Sequence, residues 1–88
     1  MGERKSMTEQ EIYQRLTELI RTTFKRDDIV VTSDTSAADI PEWTSLTYMN
    51  LVFEIEQAFG FTVKLKDMMS WQKVGDMVQT INKKVNGN

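Results

Sequence analysis

From Thr8 onward the chain alternates apolar and polar positions with a helical period. Ile12, Leu16, Leu19, Ile20 and Phe24 fall on one face, and Thr8 with Glu11 has the spacing of a capping box at its start. This pattern predicts a first helix that ends near Arg26. From Asp27 to Trp43 the period is lost in a stretch rich in Ser, Thr, Asp and Ala, with Ile29-Val30-Val31 and Ile40 as its apolar anchors. Loops longer than about 12–15 residues in compact domains tend to carry function or to hide an element. Ile29-Val30-Val31-Thr32 could pair with Phe61-Thr62-Val63 as a short ribbon, but neither segment alternates cleanly, so an ordered loop pinned by its anchors is the expected form.

Pro41 keeps Ile40 out of helical dihedrals, and Thr44 and Ser45 then offer hydroxyls ahead of an apolar-rich run, so a second helix opens at Thr44 or Ser45. Gly60 closes it. A short helical segment is predicted from Leu65 to Met69. A last helix carries Val74, Met77, Val78 and Ile81, with Val85 as an extension and Lys83 and Lys84 at its negative end. The expected class is all-α: a small four-helix bundle with a long loop between helices 1 and 2 and a short third helix.

The second helix has two apolar faces. At about 100° per residue, Tyr48, Leu51, Val52, Ile55, Ala58 and Phe59 share an arc about 120° wide, while Leu46, Met49 and Phe53 form a stripe about 60° wide on nearly the opposite side. Either the helix is central and buried on both sides, or the second stripe is an exposed docking surface. In the latter case Asn50, Glu56 and Gln57 are the polar surround that keeps the monomer in solution.

Composition narrows the chemistry. A chain of 88 residues holds one core, so 1–88 reads as a single domain with flexible ends at 1–7 and 86–88. The absence of Cys and His removes thiolate nucleophiles, disulfides, the usual zinc sites and imidazole acid–base catalysis. A net charge of -2 gives no attraction for a phosphate backbone, which argues against nucleic acid as a partner. There is no apolar run of the roughly 18 residues a membrane span needs and no signal-like start, so the expected location is cytoplasmic; Gly2 with Ser6 matches a myristoylation pattern only loosely. Trp43 and Trp71 lack the basic spacing of a base-stacking pair and are expected to anchor loop ends. Asp27, Asp28, Asp34 and Asp39 lack the alternation of a calcium loop and are expected to be solvated.

Ser45 is the residue of interest. With no histidine to deprotonate it, it is not an activated nucleophile, and by position alone it is a helix cap. A hydroxyl beside the N–H groups of a helix's positive end is also a favourable place to hold a phosphate ester.

The string Asp39-Ile40-Pro41-Glu42-Trp43-Thr44-Ser45-Leu46, followed by Leu51-Val52, Ile55-Glu56, Phe59-Gly60-Phe61, Val63 and Val74-Gly75-Asp76, resembles the acyl carrier proteins from about Asp39 to Ile81. The resemblance implies a chain that catalyses nothing. Ser45, flanked by Thr44 and Leu46, would receive a 4′-phosphopantetheine arm from coenzyme A through a Mg²⁺-dependent phosphopantetheinyl transferase. The arm's thiol would hold an acyl or aminoacyl group, loaded by a ligase and presented to synthase or transferase enzymes. Leu46, Met49, Asn50, Phe53 and Glu56 would form the docking surface of a monomer, and Val52, Phe59, Val63, Met68 and Ile81 the lining of a sheltered cargo cleft; each of these five also fits ordinary core packing.

Two departures from the family pattern stand out. Thr44 replaces the usual Asp before the serine, and Thr47, Asn50 and Gln57 stand where acids are common, leaving Glu54 and Glu56 on this helix. Both imply a specialised carrier with weaker, less salt-sensitive steering to its partners. The alternative reading is a carrier-like fold used unmodified as an interaction module. A helix-turn-helix DNA binder is disfavoured by charge and by the apolar character of the would-be recognition face.

Overall fold

The computed structural model describes residues 7–87. In chain order these form α1 (Glu9–Phe24), a 3₁₀ turn (Ala37–Asp39), α2 (Ser45–Phe59), α3 (Leu65–Ser70) and α4 (Val74–Asn86). The four predicted helices are present, and no strand forms among the described residues, so segments 29–32 and 61–63 do not pair.

At the start of α1, Thr8 Oγ1 accepts from the Glu11 N–H at 3.1 Å and Glu11 Oε1 accepts from the Thr8 N–H at 2.8 Å, the reciprocal box its spacing predicts. The helix ends at Phe24, two positions before the predicted Arg26. Lys25 adopts a left-handed conformation at φ 58°, and the N–H of Arg26 returns to the Arg21 carbonyl at 3.0 Å. A lysine in this conformation leaves no signature of the kind a glycine would. Gly60, at φ 76°, supplies the corresponding stop for α2.

The core is the convergence of three helical stripes. Ile12, Leu16 and Ile20 of α1, Leu51 and Ile55 of α2, and Val74, Met77, Val78 and Ile81 of α4 are buried, with α1 packed against both α2 and α4. Burying a side chain of this kind contributes about 1.5–3 kcal/mol, which is why the periodicity dictates the bundle.

The long loop is ordered by backbone as well as by apolar anchors. Ile29 and Ile40 are buried, Arg21 Nε donates to the Ile29 carbonyl at 2.8 Å, and the Thr35 hydroxyl accepts from the Thr32 N–H at 2.9 Å. Its middle then caps the last helix. α4 has Lys73 at its N-cap with no Ser, Thr, Asp or Asn there, and the N–H groups of Val74 and Gly75 donate instead to the carbonyls of Thr35 (2.8 Å) and Ser33 (2.9 Å). The approach is close enough that a Cβ at position 75 would lie 3.1 Å from the Ser33 carbonyl oxygen, so Gly75 is what lets the loop seat there. Lys73 Nζ adds an exposed ion pair with Asp34 at 3.6 Å.

Of the ends expected to be flexible, residues 1–6 and 88 lie outside the described residues. Met7 and Asn86 are hydrogen-bonded to each other twice, N–H to Oδ1 and Nδ2 to carbonyl, both at 3.0 Å.

Candidate functional site

The candidate site lies where the long loop runs into α2. Thr44 is the N-cap: its Oγ1 accepts from the Thr47 N–H at 3.3 Å, and Thr47 Oγ1 accepts from the Thr44 N–H at 2.7 Å. This is a capping box built from two threonines in place of the usual Ser/Thr with Glu. Thr47 Oγ1 also donates to the Glu42 carbonyl at 2.7 Å, which fixes the preceding turn. Farther back, Arg26, just beyond the end of α1, reaches Glu42 Oε1 at 3.1 Å while its other nitrogens hold Asp28 at 2.9 and 3.1 Å. Donating to Asp28, and next to Glu42, holds the Arg26 proton more tightly than usual, and the Arg26 guanidinium holds the Asp28 carboxyl below its ordinary range.

Because Thr44 supplies the capping oxygen, Ser45 does not. Its hydroxyl is exposed and engages no hydrogen-bond partner among the described residues, and the N–H groups of Ser45 and Leu46 likewise have no acceptor there. The first turn of α2 carries no acid. An exposed hydroxyl beside two free N–H groups at a helix's positive end, with open space next to it, fits a phosphodiester.

That space is a depression of about 470 Å³ lined by Ser45 together with Ala37, Trp43, Tyr48, Trp71 and Gln72. Trp43 stacks at 6.1 Å on Tyr48 and lies 5.5 Å from Phe24, so it pins the loop to the end of α1. Trp71 is buried and donates from Nε1 to Thr80 Oγ1 at 2.9 Å. Both tryptophans anchor loop ends, as expected; that they converge beside Ser45 has no signal in their spacing. The Tyr48 hydroxyl donates to the Met68 carbonyl at 3.0 Å, tying α2 to α3, and burial pushes its pKa up.

The second stripe of α2 is exposed: Leu46 is 72%, Met49 53% and Phe53 57% accessible. The helix is therefore not buried on both sides. Asn50 lies exposed beside the stripe, and with Phe53 it borders a second depression of about 420 Å³ against Arg15, Leu19 and Thr22 of α1. Glu56 belongs elsewhere. It is half-buried, and its Oε2 accepts from the Val63 N–H at 2.8 Å, so this carboxylate braces the turn between α2 and α3 rather than standing free at the rim. The five cleft candidates do come together, with Val52, Val63 and Ile81 inside the core and Phe59 and Met68 packed against it.

The loop acids have local tasks. Asp28 holds Arg26, Asp34 pairs with Lys73, and Asp39 accepts from the Ser36 N–H at 3.0 Å. No metal-ligating cluster occurs among the described residues. No helix among them is long and apolar enough to cross a membrane.

Residues 14–81 match the family model described as phosphopantetheine attachment site. The chain is similar to the acyl carrier protein of Lactobacillus johnsonii, 29% identical over 75 residues, which are 85% of this chain and 94% of that protein. It is similar also to the acyl carrier protein of Petrotoga mobilis, 29% identical over 80 residues, 91% of this chain and 94% of that one. Among solved structures, the solution structure of the holo acyl carrier protein from Geobacter metallireducens matches with a TM-score of 0.80 and 35% identity, covering 84% of this chain and 85% of that one.

Proposed function

Since the chain belongs to the acyl carrier protein family, carriers and not enzymes that bear a phosphopantetheine prosthetic group, we propose that Ser45 is the residue that bears it here. The observation that carries this reading is the division of labour between neighbouring hydroxyls: Thr44 caps the helix, and Ser45 is left exposed and unengaged. When bound, the group supplies the thiol that a chain without cysteine lacks, and with it a thioester for acyl or aminoacyl cargo.

The chain's own residues perform three tasks. Ser45 Oγ would give up its proton to the transferase and form the new P–O bond to the pantetheine phosphate of coenzyme A, while the pyrophosphate P–O bond breaks and adenosine 3′,5′-bisphosphate leaves. The free N–H groups of Ser45 and Leu46 face the negative charge placed there, at the positive end of α2. Leu46, Met49 and Phe53, with Asn50 beside them, present the surface on which a phosphopantetheinyl transferase, a loading ligase and the synthases or transferases of one dedicated cytoplasmic pathway dock in turn. Thr44 keeps the cap that an Asp would make and gives up its charge. With Glu56 bonded to the Val63 N–H, Glu54 is the exposed acid left on this helix, and partner binding is expected to depend weakly on salt.

Intact-mass measurement tests the assignment. The chain incubated with coenzyme A, Mg²⁺ and a broad-specificity transferase is expected to gain one phosphopantetheine, and Ser45→Ala none. A wild-type chain left bare by several transferases would favour an unmodified interaction module, the reading that the missing acid at Thr44 supports.

A further inference from the structure

Glu42 and Trp43, the last two residues before the N-cap of α2, are both held from the end of α1. The Trp43 ring lies 5.5 Å from that of Phe24, and Glu42 Oε1 accepts from Arg26 Nη1 at 3.1 Å. In a continuing helix, residues 24 and 26 would point about 200° apart and could not grip neighbours in one segment. The left-handed Lys25 reverses the chain between them, and the Arg26 N–H secures the reversal by donating to the Arg21 carbonyl at 3.0 Å.

The Arg26 side chain is itself aimed. Its Nε and Nη2 donate to the two oxygens of Asp28 at 3.1 and 2.9 Å, a two-pronged hold that fixes the plane of the guanidinium and leaves Nη1 directed at Glu42. From Glu42 the fastening continues through the main chain. Its carbonyl accepts the proton of Thr47 Oγ1 at 2.7 Å, and the same oxygen accepts from the Thr44 N–H at 2.7 Å. A threonine hydroxyl has one proton to give. If the turn that ends at Trp43 drifts away, that proton falls to the Thr44 carbonyl, the longer acceptor at 3.2 Å, and the cap loses its tie to the loop.

We propose that Arg26 is a positioning residue for attachment of the arm, holding the turn from Ile40 to Trp43 so that Thr44 keeps the cap and Ser45 stays presented. The proposal rests on Ser45 being the anchor. Arg26 makes no hydrogen bond to Ser45 and acts through Glu42 and Thr47. Its link to Glu42 is modest, because the two side chains are 36% and 39% accessible. A transferase that takes up only the presented arrangement binds more weakly in proportion to the fraction of molecules that leave it. The loss therefore falls on KM, by up to about fivefold, the full worth of a partly exposed ion pair.

Initial rates of mass gain by the full-length chain, with coenzyme A, Mg²⁺ and a broad-specificity transferase, provide the test. Arg26→Gln and Glu42→Ala are each expected to raise the KM for the carrier about two- to fivefold with kcat unchanged, and the double variant no further than the larger single effect. Arg26→Lys keeps a cation beside Glu42 without the planar fork, and its KM is expected to lie between those of wild type and Arg26→Gln. In the apo chain, hydrogen exchange at the Thr47 amide is expected to rise in step with KM while exchange at the Leu16 amide in α1 does not, a split that a general loss of stability would not produce. A KM in Arg26→Gln that is unchanged or lower, a loss confined to kcat, or single effects that add in the double variant overturns the positioning role and leaves the attachment residue standing. A wild-type chain that gains no mass overturns both.

Discussion

Replacing Thr44 separates two contributions that an aspartate at the same place would make together, a hydrogen-bond acceptor for the helix and a negative charge. Thr44→Ala removes the acceptor of the Thr47 N–H and leaves Thr47 Oγ1 on the N–H of residue 44 and on the Glu42 carbonyl. Losing an N-cap costs about 0.5–2 kcal/mol, and with half of the box intact a loss of about 1 kcal/mol is expected. In a domain of this size that lowers Tm by about 4–8 °C. Thr44→Asp restores the acceptor and adds charge at a first turn that has no acid, a gain of about 0.3–1 kcal/mol. The positive helix end depresses that carboxyl's folded pKa. The gain is therefore present above the unfolded value of about 3.9 and is lost as pH falls through the folded one.

The same substitutions test the division of labour between the hydroxyls. In Thr44→Ala the nearest replacement cap is Ser45 itself, if the helix frays by one residue. Engaging that hydroxyl is expected to slow pantetheinylation beyond what the small loss of stability accounts for. Thermal melts at neutral and acid pH, with initial rates of mass gain under a transferase, read both effects. An Ala variant that melts with the wild type and loads at the same rate would refute the claim that Thr44 is what leaves Ser45 free.

Three further outcomes follow from the structure. Phe53→Asp and Leu46→Asp place charges on an exposed stripe, so Tm is expected to change by less than about 0.5 kcal/mol equivalent while transferase kcat/KM falls at least about tenfold; unchanged loading kinetics would remove these residues from the docking surface. Tyr48→Phe deletes the bond to the Met68 carbonyl and is expected to cost about 1 kcal/mol, with hydrogen exchange in α3 rising more than in α1, and uniform exchange would contradict its role as a tie between α2 and α3. The Asp28 carboxyl, held by Arg26, is expected to titrate below an ordinary aspartate. Its stabilising contribution is present above the unfolded pKa and is lost as pH falls through the folded one, and Arg26→Gln should raise the carbon-detected titration midpoint toward the ordinary aspartate value.

The sequence is most legible where side chains act through period or through capping by their own oxygens. α1, α2 and α4 were readable from apolar stripes, Thr8 with Glu11 from its spacing, and Gly60 from the conformation it permits. Ser45 is legible only with its neighbours, and which of two adjacent hydroxyls caps the helix is decided by Thr47, which in the third position is not a recognised partner in a capping box. The early end of α1 has no signature in the sequence, because Lys25 takes a left-handed conformation usually given to glycine. Glu56 read as a rim acid because nothing local says that the Val63 N–H returns to it. The seating of the loop on α4 is made by the main-chain carbonyls of Ser33 and Thr35, and carbonyls have no alphabet.

That seating has a bearing on when the chain becomes competent. The turn that leads to Ser45 is the continuation of a strap whose far fastening, Val74 and Gly75, is translated some forty residues after the strap itself. A ribosome-bound fragment ending before that fastening has the serine but no finished surface around it. With Ser45 as the proposed anchor, attachment of the arm is accordingly expected to wait for the last helix.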